Sequence, residues 1–161
     1  MVEMTGSLGP TTDAQLGPTV DAMDRAAVAS GQIDAALAGA GSFPPGGRPR
    51  TLWIGVSEGA EAIGALSARV NAELEAAGWP ADARPFRPHL TVARSDGIAV
   101  GRLVADRLVT AMGDRRIVAT LDRLVLFESV TGGGPARYVP VAERMLADPD
   151  PAADVYHRRD P

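Results

Sequence analysis

Apolar residues recur at helical spacing in three stretches of the chain and at strand spacing in several others. Met1 to Pro10 is short, glycine-containing and uncapped, and reads as a loop. Thr12-Asp13 offers an N-cap, after which Leu16, Val20, Met23 and Ala27 line one helical face to about Ala29. Pro18 falls inside that pattern, so the helix is expected to start later or to kink there. Gln32 to Ala40 alternates Ile33, Ala35 and Leu37 against small or polar residues, a weak strand. Phe43-Pro44-Pro45-Gly46-Gly47 reads as a rigid turn followed by a flexible one. Thr51 to Val56 is a nearly continuous apolar run, expected to be a strand buried on both faces.

Glu58 to Ala77 is the clearest helix. Ala62, Leu66, Val70 and Leu74, with Ala65 and Ala68 beside them, form the expected buried stripe, and Gly78 suits the C′ position. Trp79 to Asp82 is read as a loop, and Ser95-Asp96-Gly97 closes the strand that follows it. A third helix spans Ala99 to Met112, with Leu103, Val104, Leu108 and Ala111 expected inward and Gly113-Asp114 closing it. Arg116 to Val130 is β-rich, with Ile117, Ala119 and Leu121 alternating before the run Leu124-Val125-Leu126-Phe127. The turn Gly132-Gly133-Gly134-Pro135 makes a hairpin of Leu124–Val130 with Arg137–Val141. From Ala147 the composition shifts to Asp, Pro, Ala and Arg. The expected organisation is one domain over residues 1–146 and a disordered tail over 147–161. The element order suits an α+β fold, its sheets covered by helices on one side.

Bulk composition narrows the classes. A chain of 161 residues with 45% apolar and 22% charged residues is long enough for a real core. Without cysteine it has neither disulfides nor thiolate metal sites. No apolar run approaches the roughly 20 residues of a membrane span. The opening Met1-Val2-Glu3-Met4 lacks the regions of a signal peptide, so cytoplasm is the default location. All 16 basic residues are arginine, yet the formal charge is −4. A broad nucleic-acid footprint needs a basic surface, so any RNA is expected to be gripped by an end in a local cleft. No His/Asp/Glu cluster has metal-ligand spacing, and no cofactor is expected. Without lysine the glycines of 132–134 cannot belong to a Walker-type phosphate loop.

The stretch that carries chemistry is Arg84-Pro85-Phe86-Arg87-Pro88-His89-Leu90-Thr91-Val92-Ala93-Arg94, read as a buried strand with one chemical face. His89 and Thr91 are two apart, so in a strand they point the same way, away from Leu90 and Val92. Pro88 can open a strand without removing a ladder donor. An imidazole takes or gives a proton near neutral pH, and a threonine hydroxyl can donate to a phosphate oxygen. Arg94 could add a charge-assisted contact, but simple alternation puts it on the Leu90 side. It reaches the anion only if the strand ends or bulges by Ala93; otherwise it is a strand-end surface charge. Arg87 could face the same cleft or be a solvated charge. Tyr138 and Phe127 could stack on a base, with core packing the stronger reading for both, and His157 reads as solvated.

The run Phe86-Arg87-Pro88-His89-Leu90-Thr91-Val92-Ala93-Arg94 resembles the second signature of the two-histidine phosphoesterases, in particular the RNA 2′,3′-cyclic phosphodiesterases, also called 2′-5′ RNA ligases. Gly41 to Pro45, Arg48-Pro49-Arg50, Leu52 to Val56, Leu126 to Ser129 and Ala136-Arg137-Tyr138 resemble other parts of that family, so the likeness covers roughly Thr5 to Ala147. It implies a bilobal fold of antiparallel sheets with helices outside. It also implies metal-independent acid/base hydrolysis of cyclic phosphate RNA ends to 2′-phosphates, with His89 and Thr91 catalytic and Arg94 and Arg87 holding substrate. RNA ends or small cyclic nucleotides are the expected partners of a monomer. The family carries two H-x-T motifs, whereas this sequence has one, and Met4 to Gly9 resembles the segment that follows the first. The first lobe is therefore expected to be incomplete, with an H-x-T encoded just upstream, and catalysis to be impaired. The alternative is a non-catalytic module that binds phosphate-terminated RNA.

Overall fold

A computed structural model describes residues 13–45, 48–80, 85–94, 101–130 and 137–148. The opening loop, the turns at 46–47, 95–97 and 132–135 and most of the expected tail lie outside the described residues. The elements follow the order α1 (Asp13–Val28), β1 (Ile33–Phe43), β2 (Thr51–Glu58), α2 (Ala60–Ala76), β3 (His89–Arg94), α3 (Gly101–Met112), β4 (Arg116–Leu121), β5 (Arg123–Val130) and β6 (Arg137–Met145). This is the expected α+β class, with one strand more than the pattern implied. The β-rich stretch after residue 115 is broken at Asp122, so β4 joins one sheet and β5 another. The chain forms two compact units, one including residues 33–67 and 83–120 and the other residues 8–32, 68–82 and 121–161.

The first unit holds a four-stranded sheet in the order β3-β2-β1-β4, with β2 antiparallel to both β1 and β3. Leu37, Ala40, Ile54, Val56 and Leu90 share one face of it and pack against Leu108 and Met112 of α3. β2 is therefore not buried on both faces. Leu52 and Ile54 are buried while Thr51, Trp53 and Gly55, pointing the other way, are half-buried. The apolar run misleads because Trp53 serves the opposite face. β1 extends to Phe43, three residues further than expected, with irregular register after Ala36 and Leu37 that keeps it paired to β2. The Phe43–Pro44 peptide is cis.

The inward face of α3 also differs. Ala105 and Met112 are buried and Leu108 half-buried, whereas Leu103, Val104 and Ala111 are exposed. In a short helix with apolar residues on most sides, the sheet it meets selects the stripe. At the start of β4, Arg116 donates from Nε and Nη2 to both carboxylate oxygens of Glu58, at 2.9 and 2.6 Å. Those bonds hold the Glu58 carboxyl below its usual range, against the opposing effect of desolvation.

In α2 the buried residues are Ile63, Leu66 and Ser67, followed by half-buried Val70 and Leu74. Ala62, Ala65 and Ala68 are exposed, so the stripe is rotated toward Ile63. Burying a side chain of that size contributes about 1.5–3 kcal/mol, which an alanine cannot match. Gly78 ends the helix as expected, at φ +91°. Gly78 N–H donates to Glu75 O and Trp79 N–H to Leu74 O, both at 3.0 Å, the paired bonds of a Schellman cap.

The second unit packs α1 against the β5–β6 hairpin. The α1 residues Ala22, Ala26 and Ala27 are almost fully buried and small enough for close approach. α1 begins at Asp13 and runs through Pro18, whose missing N–H leaves the Ala14 carbonyl without its helical bond. Next to it, the buried Thr19 hydroxyl donates to Gln15 O at 2.7 Å and accepts from Trp79 Nε1 at 2.9 Å. Trp79 lies outside helix and strand, as expected, with its side chain buried in the core. The hairpin pairs Arg123–Val130 with Arg137–Met145, longer than expected at its open end and as expected at the turn. Beyond it, Leu146 is buried, Ala147 bridges Gly31 in parallel, and Gln32 Nε2 donates to Asp148.

Candidate active site

The site face is the side of the β3-β2-β1 sheet turned away from α3. β3 pairs His89 with Gly55 and Thr91 with Trp53, and β1 pairs Gly41 with Trp53 and Phe43 with Thr51. Residues opposite one another in register share a face, so His89, Thr91, Trp53, Gly41 and Phe43 stand together. The expected alignment of His89 with Thr91 follows directly.

Arg94 joins them through a bulge. Trp53 faces Thr91 while Leu52 faces Ala93, so β3 spends one residue more than β2 between these rungs. The next rung pairs Arg94 with Thr51, which lies on the Trp53 side of β2. A bulge inserts an unpaired residue and resets the alternation. It moves Arg94 from the Leu90 face, where simple alternation would leave it, to the His89 face. Arg94 is exposed there.

β3 is less buried than its sequence implies. It is an edge strand of the described sheet, half-buried from His89 to Thr91 and exposed from Val92 to Arg94. Residues 85–88 precede the strand, so alternation does not extend back to Arg87, whose side chain is exposed. Arg87 contributes its main chain instead. His89 Nδ1 lies 2.6 Å from the Arg87 carbonyl oxygen. A carbonyl only accepts, so Nδ1 carries the hydrogen, and in the neutral ring Nε2 keeps its lone pair. The main chain thereby sets the tautomer a general base requires.

Two polar atoms of this face are enclosed and lack a hydrogen-bond partner among the described residues: Thr91 Oγ1 and Trp53 Nε1. Leaving such a group unmatched costs about 1–3 kcal/mol. Phe43 sits between two other rings, its centroid 5.4 Å from that of Trp53 and 5.3 Å from that of His89, edge-on to the imidazole. Neither Phe43 nor Trp53 is evident as a site residue from local pattern. The signal available is the small–large alternation Thr51-Trp53-Gly55, which sets one bulky ring between residues too small to hide it.

Phe127 and Tyr138 lie in the second unit's hairpin, Phe127 half-buried and Tyr138 47% exposed. Core packing therefore does not describe Tyr138. His157 lies outside the described residues. Among the described residues no three His, Cys, Asp or Glu side chains gather as a metal site, and no helix is long and apolar enough to cross a membrane.

The family described as the 2′-5′ RNA ligase superfamily matches residues 8–133. An RNA 2′,3′-cyclic phosphodiesterase of Geobacillus stearothermophilus is 38% identical over 87 residues, 54% of this chain and 27% of that protein. One from Aeropyrum pernix is 36% identical over 78 residues, 48% of this chain and 44% of its own. The chain thus spans less than half the length of these curated relatives. Among solved structures, TT0787 of Thermus thermophilus superposes with a TM-score of 0.67 at 23% identity, covering 88% of this chain and 75% of that one. E. coli LigT complexed with 3′-AMP gives 0.64 at 20% identity, with 86% and 72% covered. At these identities the two structures speak to the fold, and the fold agrees.

Proposed function

This chain belongs to the 2′-5′ RNA ligase superfamily, and on that premise we propose that it engages the 2′,3′-cyclic phosphate at an RNA end and opens it to a 2′-phosphate. The observation that carries the reading is the His89 tautomer. With Nδ1–H given to the Arg87 carbonyl, Nε2 is the basic nitrogen, on the face shared with Thr91 and Arg94. The relatives named as RNA 2′,3′-cyclic phosphodiesterases support the substrate class, as does a fold neighbour solved with 3′-AMP.

Ring opening is an in-line displacement at phosphorus. His89 Nε2 takes a proton from water as the water oxygen bonds to phosphorus. The bond from phosphorus to the ribose 3′ oxygen breaks, and that oxygen must gain a proton. The Thr91 hydroxyl donates to a non-bridging phosphate oxygen, and the Arg94 guanidinium offsets the charge. Thr91 Oγ1 is enclosed, so it meets the phosphate after a χ1 rotation or a shift of the neighbouring indole. A group that protonates the 3′ oxygen is worth about 10²–10⁴ in rate. The only other histidine of the sequence is His157, and one H-x-T is present. The proposed turnover is therefore slow.

That single motif also favours a second reading, a module that holds phosphate-terminated RNA without hydrolysing it. Both are tested by incubating the purified chain and its His89→Ala variant with cytidine 2′,3′-cyclic monophosphate and following ³¹P resonances. Slow formation of the 2′-phosphate that vanishes in the variant supports hydrolysis. His89-dependent binding of the 2′-phosphate without turnover supports the binding module. Activity that survives His89→Ala defeats both.

A further inference from the structure

We propose that Phe43 and Trp53 form a stacking platform for the nucleobase attached to the phosphate that His89 engages. The inference rests on the phosphate reading above and adds where the rest of the nucleotide goes. The chain has three Phe, two Trp and two Tyr. Among the described residues, Phe43 of β1 and Trp53 of β2 stand on the sheet face that carries His89 and Thr91 of β3, the three strands being adjacent and in register. Both are half-buried, so each keeps part of its ring surface open.

The sheet is shaped to seat the indole. A Cβ on Gly41 would lie 2.4–2.9 Å from Cζ2, Cη2 and Cε2 of Trp53, closer than real side-chain carbons approach. The indole therefore lies directly over the Gly41 backbone. A Cβ on Gly55, the register partner of His89, would be 3.5 Å from Cζ3 of the same ring. Glycine at 41 lets the ring lie against the strand instead of standing off it, while at Gly55 the ring passes at ordinary contact distance. Phe43 extends this surface to His89, its centroid 5.4 Å from Trp53 and 5.3 Å from the imidazole. A nucleoside carries its base one ribose away from the 2′ and 3′ oxygens. A phosphate at the imidazole thus brings the base within reach of these rings.

Stacking uses the π-face that every base has, so the platform accepts any of them and does not read sequence. The Phe43–Trp53 pair is tilted by 32° rather than parallel, so one base stacks on one ring and meets the other at an angle.

The test compares adenosine 2′-monophosphate with the base-free analogue 1-O-methylribose 2-phosphate on the full chain by calorimetry, repeated with Phe43→Leu and Gly41→Ala. One stacked base should make the nucleotide bind about 5- to 150-fold tighter than the base-free ligand. Each variant should narrow that ratio toward one. A ratio near one in the unaltered chain, with both ligands bound, overturns the platform and leaves the phosphate reading standing. A ratio that neither variant narrows places the base elsewhere and also overturns it. Binding of neither ligand removes the phosphate reading and this inference with it. The unaltered protein gives a second readout that does not depend on the variants folding. The Trp53 indole N–H resonance should move with the nucleotide and stay in place with the base-free ligand, while that of Trp79, bonded to Thr19, should not move. Movement of Trp79 alone contradicts the assignment.

Discussion

At the scale of single residues, the site divides its tasks between main chain and side chains. The bond that fixes the His89 tautomer is accepted by the Arg87 carbonyl, so replacing the Arg87 side chain does not in itself remove it. Thr91 presents the sharper case. Its hydroxyl is enclosed with no partner among the described residues, the arrangement expected of a group kept for a ligand at a cost to the folded state. Thr91→Val removes the hydroxyl at nearly constant volume. The melting temperature should hold or rise, by an equivalent of up to about 1 kcal/mol, because an unmatched polar group is gone. Any cyclic-phosphate turnover should fall about 10²–10³-fold, the usual effect of losing one donor to a developing oxyanion. Thermal denaturation and turnover measured on one preparation separate the two effects. A destabilised variant would show that the hydroxyl has a partner in the fold, and full turnover would remove Thr91 from the phosphate.

At the scale of elements, the β2–α2 junction shows how closely these parts are joined. Gly59 sits between them at φ +76°, and a Cβ there would lie 2.6 Å from the Asp34 carbonyl oxygen. Gly59→Ala should cost about 1–3 kcal/mol from the backbone conformation alone, and more if Asp34 cannot yield. Gly64, inside α2, has open space where its Cβ would go, and Gly64→Ala should gain about 0.5–1 kcal/mol. Opposite shifts in melting temperature, a few degrees each, would confirm the pair; shifts of the same sign would contradict it. Such junctions mark where sequence reading succeeds and where it stops. The pairing of His89 with Thr91 and the Gly78 cap were legible because each depends on residues a few positions apart. The bulge that turns Arg94 was legible only as a condition. The inward face of α3 and the half-buried side of β2 are not legible in the sequence because their apolar patterns admit more than one buried stripe, and contacts with distant segments choose between them. Phe43 and Trp53 escaped notice for the same reason: what brings them to His89 is register among three strands.

At the scale of the whole molecule, charge limits how the proposed RNA end can be held. With 16 arginines against 20 acidic residues and a net charge of −4, the chain as a whole repels a polyanion, so attraction must be local. The described cations nearest the imidazole in sequence are Arg87 and Arg94, both exposed. Single-stranded nucleic acid releases counterions in proportion to the phosphates neutralised, giving a slope of about −0.7 per phosphate in log affinity against log salt. One or two engaged phosphates predict a slope between about −0.7 and −1.4 for an oligonucleotide ending in a 2′-phosphate. If only the end is gripped, extending that oligonucleotide from two to ten nucleotides should leave the slope and the affinity nearly unchanged. Fluorescence anisotropy across a salt series measures both quantities. A slope steeper than about −3, or affinity that climbs with length, would reveal a continuous basic groove. The end-gripping reading would then give way to one in which the whole strand is bound.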